Sequence, residues 1–501
     1  MTTPGAAWRP TPQTLIAAAV IVLAAFAIRG WQFGDPLIHV DENFYLMVGD
    51  RMLHGATPYV DIWDRKPVGL FLLFAAIRLL GGDGIVQYQV VATLFAAATG
   101  IVIARIAQPL AGRVGGVLAG IVYLLLIGLV GGSGGQAPVF YNLLTAGAAL
   151  AVMRVVTDPA LATPGRITRA GALAMALIGL GLQIKYSVVF EGVFFGLALM
   201  WASWRASGSL ARTALDALAW IGLALAPTLL ALAWYAVHGQ ADAFVYANFL
   251  SIGARSGAPV GELLHRLLKI LRVLEIPLLA TFLGMILQPW KRLPRGPASF
   301  HFVLAWLAAA VAGFLLFGTY FDHYALPLFV PLAAAAASLF AYQRRHLGLV
   351  AATVMIVAGG TAYATVVHKM LLKRGSRPEM DQMVDAIRPR LTPDGEGLYV
   401  WNGDTILYHL AGAKLPSRWP FAGHLNLLRE NGAIGVDQAS EVRRIFATRP
   451  RVVVDHDPIA KDFNFEVVTQ ARAELARDYR PVKVVAFRRS RTIIYERIPG
   501  R

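Results

Sequence analysis

Apolar runs long enough to cross a bilayer recur along this chain, at residues 14–31, 85–107, 114–132, 139–156, 168–187, 188–204, 213–237, 268–288, 299–318, 324–341 and 347–367. A helix needs about 20 apolar residues to span the hydrocarbon core. The pattern therefore predicts a polytopic α-helical membrane protein with about 11 transmembrane helices. A twelfth apolar run, Val68 to Leu80, is short, carries Arg78, and is expected to lie along the interface. With that run left out, alternation collects Arg105, Arg113, Arg154, Arg166, Arg169, Arg205, Arg212, Lys291, Arg292, Arg295, Arg344 and Arg345 on one side. Positive residues stay inside, so the N-terminus is expected in the cytoplasm and the C-terminus outside. Counting Val68 to Leu80 as a span would invert every later loop. The outer face then receives loops 39–66, 131–137 and 238–265 and the turn 319–323.

From about Gly375 apolar runs shorten and charges become frequent. GLYVWN, RVVVDHD, VKVVAF and RTIIYER read as strands, and Asp404–Leu410, Ala439–Ala447 and Phe465–Tyr479 as helices. The expected division is a transmembrane catalytic part, 1–374, with its first outer loop at 32–84, and an extracytoplasmic C-terminal soluble α/β domain, 375–501. Asp41 to Leu53 spaces apolar residues between charges at helical intervals, which predicts a short amphipathic helix on the membrane surface.

Composition agrees with this class. Mean hydropathy is +0.55 and 56% of the 501 residues are hydrophobic, above the range of soluble domains. The first run, Leu15 to Ile28, lacks a small-residue cleavage site and is expected to remain as an anchor. The chain has no cysteine, so disulfides and thiolate metal sites are excluded. A net charge of +16 fits topogenic basic loops and attraction to anionic membrane lipids. No basic run is interleaved with aromatics, which argues against nucleic acid as a partner.

Only 15% of residues are charged, yet His39 to Lys66 holds Asp41, Glu42, Asp50, Asp61, Asp64, Arg51, Arg65, Lys66 and His39. Acids and bases this dense between membrane segments point to chemistry at the membrane surface. Asp41–Glu42 follows the first span, where a partly desolvated carboxylate suits a general base; capping of the next helix is the competing role. Lys66 precedes Pro67, which disfavours helix and leaves it extended at headgroup depth, suited to an anionic phosphate or to snorkelling. Lys185–Tyr186 lies between two apolar runs on the same face. Asp322–His323–Tyr324 precedes Pro327 and Pro331, which should loosen the outer end of that helix. No zinc spacing, Walker loop or dinucleotide fingerprint occurs, so no metal or other cofactor is expected.

Taken in order, these motifs resemble the GT-C membrane glycosyltransferases that use polyprenyl-phosphate sugars. The branch is that of the protein O-mannosyltransferases and the lipid A aminoarabinose transferase. The resemblance rests on Asp41–Glu42, on Tyr59-x-Asp61-x-x-Asp64-x-Lys66-Pro67, on Lys185–Tyr186 and on His323-Tyr324-x-Leu326-Pro327-x-x-x-Pro331. Val400-Trp401-x-x-Asp404 with Leu410-x-Gly412 extends it into the C-terminal domain. It implies a multi-pass enzyme of the inner (plasma) membrane, with an outward-facing site. Its donor would be a polyprenyl monophosphate sugar, and its acceptor a hydroxyl on a glycan, lipid or protein. It implies Asp41, with Glu42, as the catalytic carboxylates. It places Lys66, Lys185, Tyr59, Asp61, Asp64, His323 and Tyr324 around the donor's phosphate and sugar.

Two departures stand out. The family often has a second acid before its fourth helix, where this chain reads GGSGGQAP, leaving Gln136 or Asn142 for a sugar hydroxyl. The usual Lys-Pro-Pro is Lys66-Pro67-Val68. A transporter or flippase of a lipid-linked glycan is the alternative; it predicts ionisable groups near mid-membrane, whereas these clusters sit at helix ends. A binding or assembly protein would leave the first-loop acids without a role.

Overall fold

The computed structural model describes residues 11–38, 40–342 and 344–500, with the side chains of Arg345, Lys373 and Arg374 excepted; His39 of the first loop is outside this set. Among the described residues, ten helices are long and apolar enough to cross a membrane. The chain begins with α1 (Pro12–Arg29), α2 (Val40–Leu53), α3 (Val68–Arg78) and α4 (Ile85–Gly128). Helix α4 runs 44 residues, about 66 Å, more than twice the hydrocarbon thickness. It breaks at Gly112 (φ 70°), just past Pro109, and its two legs fold back on each other. A Cβ on Gly116 would collide with the Ala104 carbonyl, and one on Gly120 would stand 2.6 Å from the Gly100 carbonyl. Small residues allow that approach. The two legs match the separate apolar runs 85–107 and 114–132 of the sequence. Helix α3, at 11 residues, is about 16 Å long and too short to span, as expected.

The bundle continues with α5 (Ala137–Thr157), α6 (Pro164–Leu182), α7 (Val189–Ser207) and α8 (Leu210–Val237), then Val260–Leu287, Gly296–Phe317, the 3-10 and α turns of Asp322–Ala341, and Leu347–Arg374. Of the basic residues grouped by alternation, Arg105, Arg154 and Arg295 line one cavity, and Arg295 pairs with Asp158 at 2.8 Å.

At Gly375 (φ 74°) the last span turns into a Ser376–Glu379 capping box that opens Arg377–Ile387. Four strands follow: β1 (Leu398–Val400), β2 (Val452–Asp457), β3 (Tyr479–Ala486) and β4 (Arg491–Arg497). They form one sheet in the order β1-β2-β4-β3. Strand β1 is parallel to β2, with Leu398 opposite Val452; the other pairs are antiparallel. Helices Gln438–Ala447 and Phe465–Asp478 pack their apolar faces on it through Val442, Ile445, Val467 and Ala471. The four strands and three helices read from the sequence are present; Arg377–Ile387 is additional.

One expectation is corrected. Helix α2 forms where its periodicity places it, but it does not lie open on a membrane surface, since Glu42 to Asp50 are all buried. Helix α3 covers one side, close enough that a Cβ on Gly49 would meet the Ala75 backbone at 2.6 Å. The C-terminal domain covers the other. Asp50 bonds Arg78 of α3 at 2.9 Å and His409 at 3.3 Å, and Arg51 donates to the Ala413 carbonyl. Trp63, from the loop between α2 and α3, belongs to the core of the C-terminal domain, and its backbone N–H donates to the Arg418 carbonyl at 2.7 Å. Asp50 and Arg51 are thus bonded across this joint.

Candidate active site

A cavity of about 460 Å³ lies where the bundle meets the C-terminal domain, at the end opposite the arginine-rich loops. Asp41, Asp64, Lys66, Lys185, His323 and Tyr324 all line it. Asp41 stands in the first turn of α2. Gln136, the residue before α5, donates its side-chain amide to Asp41 Oδ2 at 3.1 Å. The glycine-rich loop carrying Gln136 is held by Arg29 at the end of α1, whose guanidinium donates to the carbonyls of Gly132 (2.5 Å) and Gly134 (2.8 Å) and to Thr93 (3.2 Å). Gln32 donates to the Ser133 carbonyl beside it. A buried guanidinium with three acceptors makes the loop a rigid mount. Gln136 therefore orients a carboxylate; Asn142 donates to Tyr123 and to the Leu326 carbonyl inside the bundle.

Lys66 leaves its loop just before Pro67, the N-cap of α3. Asp64 Oδ1 accepts from the Lys66 backbone N–H (2.8 Å), and the Tyr59 hydroxyl donates to the Lys66 carbonyl (2.7 Å). The Lys66 ammonium lies 5.4 Å from the Tyr45 ring centroid. Burial disfavours its charge, but Asp64 and Asp41 outweigh burial and hold its pKa above the ordinary value. Lys185 occupies the extended turn between α6 and the next span, with its ammonium 3.8 Å from the Tyr324 ring centroid and 5.8 Å from that of Phe317. Burial, then repulsion from Lys66, bring its pKa down to about 7. Lys66 is thus a fixed cation, while Lys185 is one that an arriving anion would recharge. The His323 ring meets Tyr324 edge-on at 4.6 Å and stacks on Phe321 at 6.0 Å.

Three expected site residues lie off the cavity lining. Tyr59 is fully buried behind Lys66, packed on Tyr235 and Phe244. Asp61 is exposed and closes its own turn by accepting from the Thr57 N–H at 2.7 Å. Glu42 is fully buried, within electrostatic range of Arg29. The lining also includes Arg65 of the first-loop cluster, to which the sequence assigned no role, and residues not singled out at all: Arg255 from the bundle side, and Phe421, His424, Asn426 and Glu430 from the C-terminal domain. Arg255 falls in a loop correctly placed on this face but carrying no motif. The others sit in an irregular stretch whose role depends on docking. Burial pushes the His424 pKa down to about 3, so its imidazole is neutral near pH 7. No group of three or more His, Cys, Asp or Glu side chains suited to a metal ion occurs among the described residues.

The sequence matches no family model and no curated protein. Solved structures do match. ArnT from Cupriavidus metallidurans in the apo state superposes with a TM-score of 0.63 over 96% of this chain and 97% of that one, at 14% identity. The chain has the GT-C fold. The same ArnT bound to undecaprenyl phosphate gives 0.59 at 14% identity, over 97% of this chain and 98% of that one. The apo oligosaccharyltransferase of Archaeoglobus fulgidus gives 0.53 at 11% identity, over 88% and 69% of the two chains. At these identities the likeness is one of GT-C architecture.

Proposed function

We propose that this protein is an integral membrane glycosyltransferase. It moves a sugar from a polyprenyl monophosphate donor to an acceptor hydroxyl. One observation carries the reading: a carboxylate, Asp41, and two lysines, Lys66 and Lys185, share a single cavity at one end of the bundle. The GT-C fold, and a neighbour whose crystal structure holds undecaprenyl phosphate, support a lipid-phosphate donor. The Archaeoglobus fulgidus oligosaccharyltransferase, whose structure was also solved tethered to an acceptor peptide, supports an acceptor that reaches the site from outside the donor lipid.

The acceptor hydroxyl attacks the anomeric carbon and passes its proton to Asp41 as the anomeric carbon–oxygen bond to phosphate breaks. A positioned general base contributes about 10²–10⁴ in rate. Lys66 and Lys185 bind the departing phosphate, and cations fixed in a dry site stabilise such developing charge by several kcal/mol. Attack opposite the leaving phosphate inverts the anomeric centre. Tyr324 and His323 wall the sugar, Asp64 and Tyr59 hold Lys66 in place, and Glu42 balances the Arg29 charge. Asp61 sets the loop. Residues 1–374 form the catalytic membrane part and 375–501 an extracytoplasmic domain, with the N-terminus in the cytoplasm and the whole in the inner membrane.

The test is transfer from radiolabelled polyprenyl-phosphate sugars in membranes by wild type, Asp41→Asn and Lys66→Ala. Loss of product in both folded variants supports the two roles. Undiminished transfer by Asp41→Asn removes the base assignment.

A further inference from the structure

Glu430 of the C-terminal domain occupies a place that the reaction above leaves unused. It ends the short 3-10 turn Leu428–Glu430 and is 3% exposed. Its Oε2 accepts from Arg65 Nη1 at 2.8 Å and its Oε1 from Arg255 Nη2 at 2.6 Å. Arg65 immediately precedes Lys66, and Arg255 stands in the connection before Val260–Leu287. One buried carboxylate thus joins three stretches distant in sequence, and all three residues line the cavity with Lys66.

The charges at this joint do not balance. Two guanidiniums face one carboxylate, and Arg429 adds a third at 3.7 Å. Arg65 Nη2 and Arg255 Nε are buried without a hydrogen-bond partner among the described residues. Buried N–H groups left open destabilise a fold unless something accepts from them. Guanidiniums on the same lining as Lys66, with positive charge in excess, suit a phosphate. Burial pushes the Glu430 carboxyl up, but Arg65 and Arg255 outweigh burial and keep it ionised.

We infer that Glu430 is a positioning residue for donor binding: it holds Arg65 and Arg255 on the wall of the cavity, where their charge adds to that of Lys66 for the lipid phosphate. This rests on the polyprenyl-phosphate reading and brings the C-terminal domain into the site. Arg255 depends on Glu430 more than Arg65 does. Arg65 also lies 4.8 Å from the Trp63 ring centroid and reaches Ser251 at 3.4 Å. Among the described residues the Arg255 side chain bonds Glu430 alone, in a connection with Gly253, Gly257 and Pro259.

The experiment measures binding of undecaprenyl phosphate to the purified full-length protein, for wild type, Glu430→Gln and Glu430→Asp, beside thermal unfolding of each. Glu430→Gln is expected to weaken binding by about tenfold or more, the loss of one charge-assisted hydrogen bond. Glu430→Asp should recover part of it. In transfer assays kcat at saturating donor should fall far less than kcat/KM, which a merely structural contact would not produce. Wild-type affinity in folded Glu430→Gln overturns the inference and leaves the proposed function standing. Wild type that does not bind undecaprenyl phosphate overturns both. Should Glu430→Gln fail to fold, Arg255→Gln decides: weakened binding supports the inference and unchanged binding ends it.

Discussion

Gln136 donates to Asp41 across 95 positions of sequence, at 3.1 Å. The bond ties one carboxylate oxygen of Asp41 to the glycine-rich loop that carries Gln136. Asp41→Asn is expected to lower kcat by about 10²–10⁴ with donor binding retained, because the amide keeps the shape and loses the basicity. Gln136→Ala should lower kcat by less, since it removes orientation and leaves the base. Single-turnover transfer with saturating donor checks both.

Lys185 gives the site a pH dependence. Its pKa lies at about 7, so below that value it is an ammonium and above it a neutral amine. An anionic phosphate favours the charged form, so binding takes up a proton at higher pH. Affinity for undecaprenyl phosphate should therefore fall as pH rises through about 7. Lys185→Arg should flatten that profile, because guanidinium stays charged throughout. Binding titrations across pH read the difference directly.

The joint between α2 and the C-terminal domain runs through Asp50, which bonds Arg78 and His409. Burial raises its carboxyl, but these two partners overcome burial and hold the pKa well below the ordinary value. Such a group contributes stability above its unfolded pKa of about 4, and the contribution disappears as pH falls through the lower folded value. Asp50→Asn is expected to destabilise by about 1–3 kcal/mol at neutral pH, with the gap to wild type closing in acid. Thermal unfolding at several pH values measures this.

The hairpin of α4 offers a test of the span count. Gly116→Val places side-chain carbons where the Ala104 carbonyl already stands, and overpacking of this kind costs about 1–3 kcal/mol. Gly222→Val, with nothing near its Cβ position, is the control that should leave stability almost unchanged. A straight helix at 112 would make both substitutions equally mild in thermal unfolding.

Much of the architecture was legible from local pattern. Transfer of an apolar segment into lipid depends on that segment alone, so the spans, the short α3 and the basic loops follow from hydropathy and charge. The strands of the C-terminal sheet alternate or cluster β-branched residues, and each appears where the sequence places it. The grouping of Asp41, Lys66, Lys185 and His323 was also readable, because alternation of spans assigns helix ends to faces. Tertiary structure decided the rest. Trp63 enters the core of a domain more than 300 residues later, and that docking buries α2 instead of leaving it on a membrane surface. Gln136 meets Asp41 only because Arg29 ties the glycine loop to α1. Arg65, Arg255 and Glu430 meet only when three chain segments pack together. Hydropathy acts residue by residue and can be read in order. A hydrogen bond between distant side chains exists only once packing has brought them within about 3 Å, and nothing in their local sequence encodes the partner.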